Sequence, residues 1–116
     1  MGYRIGVASS DGKVVNEHFG RATQFTIIDV DDEQSIQVVE LRKVTPFCQG
    51  GNHDEDQLEA AVKNLEDCKY LIVARIGQGA QYALEQHGIE VFELPMLIED
   101  AVKKLIAYIE IQQMLI

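Results

Sequence analysis

The run Tyr70-Leu71-Ile72-Val73-Ala74 constrains this chain more than any other stretch, because it presents almost no polar face to water. A strand of that kind is stable only when both of its faces are covered. It therefore predicts the interior of a sheet with helices above and below. The 116 residues suffice for one such domain, residues 1–116, and are too few for two.

The remaining elements follow from periodicity. Tyr3 to Ala8 alternates Ile5 and Val7 with Arg4 and Gly6, as a strand does. Gln24 to Val30 is β-branched and aromatic, a second strand. After the acidic turn Asp31-Asp32-Glu33-Gln34, Ile36 to Val44 reads as a third strand, whose charges at Glu40, Arg42 and Lys43 suit a sheet edge. A helix is expected after Asp54, a candidate N-cap, with Leu58, Ala61, Val62 and Leu65 as one apolar stripe. Gly77-Gln78-Gly79 leads into a second helix closed by Gly88, with Ala80, Ala83 and Leu84 inward and His87 on the apolar side. Ile89 to Leu94 is a fifth strand, and a last helix starts near Ile98 with Val102, Leu105 and Ile109 in register. The order β-β-β-α-β-α-β-α predicts an α/β fold, a mixed five-stranded sheet with helices on both faces. Short connections and right-handed crossovers bring the loops after strands one, three and four to one end of the sheet, where open α/β sheets bind their ligands.

Charge narrows the partners. A net charge of −9 repels nucleic-acid phosphates and anionic membranes at long range. The asymmetry matters too: residues 1–53 carry five Lys/Arg against seven Asp/Glu, and residues 54–116 five against twelve, so an anionic ligand is better tolerated by the first half. No apolar run approaches the ~20 residues of a membrane span, and the start of the chain shows no signal-peptide pattern. A cytoplasmic protein with separate, reduced Cys48 and Cys68 is the expectation.

Chemistry concentrates in the long connection Ser9 to Thr23, which holds Asp11-Gly12 as a turn and Glu17-His18-Phe19-Gly20 near its far end. The converging loops make His18, Cys48 and His53 candidate neighbours, and imidazole with thiolate suits soft metals and iron-sulfur species. Each residue also has a plainer reading, His18 bonded to nearby backbone, Cys48 a small half-buried loop residue, and His53 at a helix start. The ligand count falls short of a structural zinc site. Gly50-Gly51 and Gly77-Gln78-Gly79 can let backbone N–H groups approach an anion, or serve as structural glycines. Arg21 and Arg75 flank the same end, as anion holders or as surface charges. Cys68 reads as a core residue.

Glu17-His18-Phe19-Gly20, the following Phe25 to Val30, and Ile76-Gly77-Gln78-Gly79-Ala80 together resemble the dinitrogenase iron-molybdenum cofactor biosynthesis family, with support from Cys48-x-Gly50-Gly51 and Asp67-Cys68. The resemblance implies a three-layer ribonuclease-H-like fold. It also implies a role in nitrogen fixation, the binding or carrying of the iron-molybdenum cofactor or its iron-sulfur precursor, with the histidine matching His18 linked to cluster binding.

On this basis the expected protein is a non-enzymatic cluster carrier, with His18 as main ligand and Cys48 as second. Gly50, Gly51 and Gly77 would admit the cluster close to the backbone, and Arg21 would offset its charge. Its partners would be metallocofactor assembly proteins or an apo-acceptor protein. The alternative is a regulatory or interaction module that keeps the fold without the cluster, motivated by the apolar tail Met114-Leu115-Ile116 and the acidic second half. A metal-dependent nuclease comes third, since its carboxylates would have to gather around divalent metal.

Overall fold

The computed structural model describes residues 2–46 and 55–115. Its strands are β1 (Tyr3–Ala8), β2 (Gln24–Val30), β3 (Ile36–Lys43), β4 (Tyr70–Val73) and β5 (Glu90–Glu93), and its helices α1 (Glu55–Lys63), α2 (Gln78–Gln86) and α3 (Ile98–Met114). The strands form one sheet in the order β3-β2-β1-β4-β5. β1 pairs with β2 and β2 with β3 antiparallel, whereas β1 with β4 and β4 with β5 are parallel. The expected mixed sheet is what forms, and β3 takes the expected edge.

Burial explains why the layers stack this way. Ile5, Val7, Ile28, Val30, Tyr70 and Ile72 project to one face, where α3 meets them with Val102, Leu105 and Ile109. Phe25, Ile27, Leu71 and Val73 project to the other, against Val62 and Leu65 from the α1 end and Leu84 of α2. β4 feeds both cores with four consecutive buried residues, which is the reason its sequence lacks a polar face. At Gly6 the layers come close: a Cβ there would lie 2.8 Å from Leu71 Cδ1 and 3.4 Å from Cys68 Sγ. A larger residue there would have to displace the buried Leu71 side chain.

Two local expectations are refined. Gly88 ends α2 with φ +78, as a left-handed cap does. His87, however, is exposed rather than packed on the apolar side, and its Nδ1 lies 2.9 Å from the Ala83 carbonyl oxygen. The ring folds back along the helix end because that carbonyl has no intrahelical donor. The candidate cap Asp54 lies outside the described residues.

The edge strand is fastened by charge. Arg42 donates to both Asp67 oxygens (2.9 and 2.8 Å), to Glu40 and to the Asn64 carbonyl, and Arg4 donates to Asp67 and Asp29. The Arg42 hydrogen bonds outweigh burial and, with Arg4, hold the Asp67 carboxyl far below the usual carboxylate range. A depressed folded-state pKa contributes stability that is present above the unfolded value near pH 3.9 and is lost as pH falls through the folded value. Because the Asp67 side chain is 40% exposed, screening limits the contribution to about 1 kcal/mol. Asp67→Asn should therefore flatten the loss of stability below about pH 4, read as the urea midpoint against pH. An unchanged acid limb would show that Asp67 is not coupled to folding.

Candidate ligand-binding end of the sheet

The connection from β1 to β2 is built from its own side chains first. Ser9 is fully buried, and its hydroxyl accepts the Gly12 N–H at 2.9 Å. Asp11 Oδ1 accepts the N–H groups of Lys13 (2.8 Å) and Val14 (3.1 Å), bonds that hold the Asp11 carboxyl below its ordinary range. Gly12 closes this turn with φ +76, a value few other residues adopt.

The loop is then clasped across the ends of two strands. Ile98 N–H donates to the Lys13 carbonyl and Val15 N–H to the Met96 carbonyl, both at 2.8 Å, so Val14 faces Leu97 in a short antiparallel bridge. Val15 anchors the clasp in the α3-side core. Three residues on, Ala74 N–H donates to the Glu17 carbonyl (3.0 Å) and Phe19 N–H to the Arg75 carbonyl (2.9 Å). His18 is thereby held beside Arg75 in a parallel bridge. Phe19 is buried against Phe25, with ring centroids 6.2 Å apart, which fixes the backbone on the far side of His18.

His18 itself is exposed, at the start of a one-turn 3-10 helix, Phe19–Arg21. Its carbonyl accepts the Arg21 N–H at 3.0 Å. The Glu17 carboxylate reaches across the turn to Thr23 N–H (3.2 Å) and closes the segment. On the neighbouring loop, Ile76 N–H donates to Glu93 Oε2 at 2.9 Å, and Gly77 becomes the N-cap of α2. A Cβ at Gly77 or Gly79 would meet nothing within 4 Å. Neither glycine is required by packing, and the start of α2, with its free N–H groups, stands open.

The structure thus brings His18, Arg21, Arg75 and Gly77 to one end of the sheet, with the two arginines exposed. Cys48, Gly50, Gly51 and His53 lie outside the described residues; the strand that leads to them ends at Lys43, opposite Gln24 and so at this same end. Cys68 belongs elsewhere. It is 2% exposed at the other end of β4, and burial, reinforced by the Asp67 charge, pushes its thiol up to about 12, so it offers no thiolate at neutral pH. Among the described residues no three His, Cys, Asp or Glu side chains gather to hold a metal ion, and no helix is long and apolar enough to cross a membrane. Sequence reasoning missed the part played by the β5–α3 connection and by Glu93. Its own rule held the signal, since β5 runs parallel to β4 and must end at the same side.

A groove of about 770 Å³ opens at the opposite end, lined by Tyr3, Asp29 and Lys69 among others. The charges of Arg4, Asp29 and Asp67 in its wall already satisfy one another.

Fold and site together define an α/β domain that presents one histidine, with cations and open backbone, at the carboxyl ends of its parallel strands. The family model for "Dinitrogenase iron-molybdenum cofactor" matches residues 1–108, and the chain belongs to that family. It is 38% identical over 86 residues, 74% of its length, to the FeMo cofactor biosynthesis protein NifB of Herbaspirillum seropedicae. It is 36% identical over 104 residues, 87% of its length, to the protein of the same name from Frankia alni. The chain spans only 16% and 20% of those two proteins. Among solved structures it resembles the apo form of the orange protein from Desulfovibrio gigas (TM-score 0.64, 21% identity, covering 90% of this chain and 88% of that one). It also resembles a candidate dinitrogenase from Methanocaldococcus jannaschii (TM-score 0.65, 16% identity, 92% and 90% covered). At these identities the two structures speak for the fold alone.

Proposed function

We propose that the protein binds and carries the iron-molybdenum cofactor, its iron-sulfur precursor or a related metal-sulfur cluster during metallocofactor assembly, as a carrier in the cytoplasm and not as a catalyst. His18 carries the reading: its backbone is fixed on both sides by bonds to the end of β4, while its side chain stays open to solvent. An imidazole presented this way is a ligand for an incoming metal. Metal-sulfur clusters are anionic, and Arg21 and Arg75 supply opposite charge, with the α2 N-terminus adding N–H groups. Cys48 is proposed as a second ligand and Gly50 and Gly51 as further open backbone.

The curated relatives named for FeMo cofactor biosynthesis support the choice of cargo. Donor and acceptor are then other assembly proteins or an apo-acceptor. We read the fold as ribonuclease-H-like, a reading supported by the strand order and by the single antiparallel β2 inside the sheet. Anaerobic titration of the purified chain with an iron-sulfur or molybdenum-iron-sulfur cluster, followed by visible absorption, should saturate near one cluster per chain. Absorption that never saturates, or no binding, would reject the carrier role.

A further inference from the structure

The α3 side of the sheet is half covered. Five strands at about 4.8 Å spacing make a sheet roughly 20 Å across, and a helix with its side chains is about 10 Å wide. Among the described residues the opposite face has α1 and α2, and this face has α3 alone. Ile36, Val38 and Leu41 stand opposite Val30, Ile28 and Thr26 and so point to this face. They are 44%, 57% and 57% exposed. Between Ile36 and the flank of α3 runs a groove of about 470 Å³, walled by Ile106, Ala107, Ile111 and Met114. Single exposed apolar residues need no explanation, but a contiguous apolar patch marks an interaction surface.

We propose that this groove receives an amphipathic helix of a partner protein, apolar along the docked stripe and basic along its flanks, lying beside α3 as the second helix of that layer. The shape asks for a helix, because the uncovered strip is one helix wide and α3 forms one wall. Charge selects the flanks. Asp31 and Glu33 sit in the exposed turn before β3, and of the two charged residues that line the groove, Glu110 and Lys103, Lys103 is already engaged by Glu99 at 3.2 Å. A second copy of the chain is a poor occupant. It carries the same −9, so two acidic surfaces would have to meet across the groove. An anionic lipid surface is repelled for the same reason.

The test titrates the full chain with a synthetic peptide of about 18 residues, the length of α3, with leucines at i, i+3, i+4 and i+7 and lysines on the flanks, followed by fluorescence anisotropy. A glutamate-flanked version is the charge control. The lysine peptide should bind saturably, and Val38→Asp and Ile111→Asp should each weaken it at least tenfold. Tyr82→Asp, 65% exposed on α2 of the other face, should leave it unchanged. All three positions are exposed, so folding survives and is checked by circular dichroism. No binding, equal binding by all variants, or equal binding of the glutamate peptide would overturn the proposal. So would a wild-type dimer in sedimentation that Val38→Asp dissolves, because the occupant would then be a second copy.

Discussion

Replacing His18 by alanine is expected to lower the affinity for a metal-sulfur cluster at least tenfold while leaving the fold intact. Tenfold corresponds to about 1.4 kcal/mol, modest for the loss of a metal ligand. The fold is spared because the residue is held through its backbone: Phe19 N–H still reaches the Arg75 carbonyl, Ala74 N–H still reaches Glu17, and Phe19 remains buried. Substitution of an exposed side chain away from packing typically changes stability by less than about 0.5 kcal/mol. His87→Ala is the matched control, since His87 is exposed on the far end of α2 and leans on the Ala83 carbonyl. Its removal should leave the titration unaltered. Equal affinities for wild type and His18→Ala would remove the histidine from the site.

The largest effect on stability is expected at Leu105. Leu105→Ala should cost about 2–5 kcal/mol, a large share of the 5–15 kcal/mol that holds a domain of this kind together. Leu105 is 1% exposed in the centre of α3, and α3 is the only described helix on its face of the sheet, so no neighbouring helix can shift in to fill the cavity. Tyr82→Ala, at an exposed position, should stay within about 0.5 kcal/mol of wild type. Urea unfolding monitored by circular dichroism gives both numbers. A midpoint for Leu105→Ala close to that of wild type would mean that α3 contributes little to the core.

Elements with a strong period were legible in the sequence. The unbroken apolar run at Tyr70 to Val73 demanded two covered faces and has them; the stripe Val102, Leu105, Ile109 demanded a buried helix face and has it. Charge at Glu40, Arg42 and Lys43 marked the edge strand correctly, though Arg42 spends its charge on Asp67 and Glu40 more than on repelling other chains. What stayed hidden was carried by backbone. The clasp of Lys13 and Val15 onto Ile98 and Met96 joins segments about eighty residues apart through main-chain groups, and those groups are the same in every residue. Exposure of Val38 and Leu41 was equally illegible, because a β-branched or leucine residue on a strand reads alike whether or not a helix lies over it. Of the candidate site, His18, Arg21, Arg75 and Gly77 are brought together; Cys48, Gly50, Gly51 and His53 lie outside the described residues.

Ligation of the cluster by His18 can be observed directly. Protein grown with nitrogen-15 histidine, loaded anaerobically with an iron-sulfur cluster, reduced to a paramagnetic state and studied by pulsed electron paramagnetic resonance tests it at the bond itself. The chain has three histidines, so His18→Ala and His53→Ala are loaded alongside. Wild type should show a nitrogen-15 coupling that persists in His53→Ala and vanishes in His18→Ala. A coupling that survives in His18→Ala, or a loaded wild type with no histidine coupling, would contradict it.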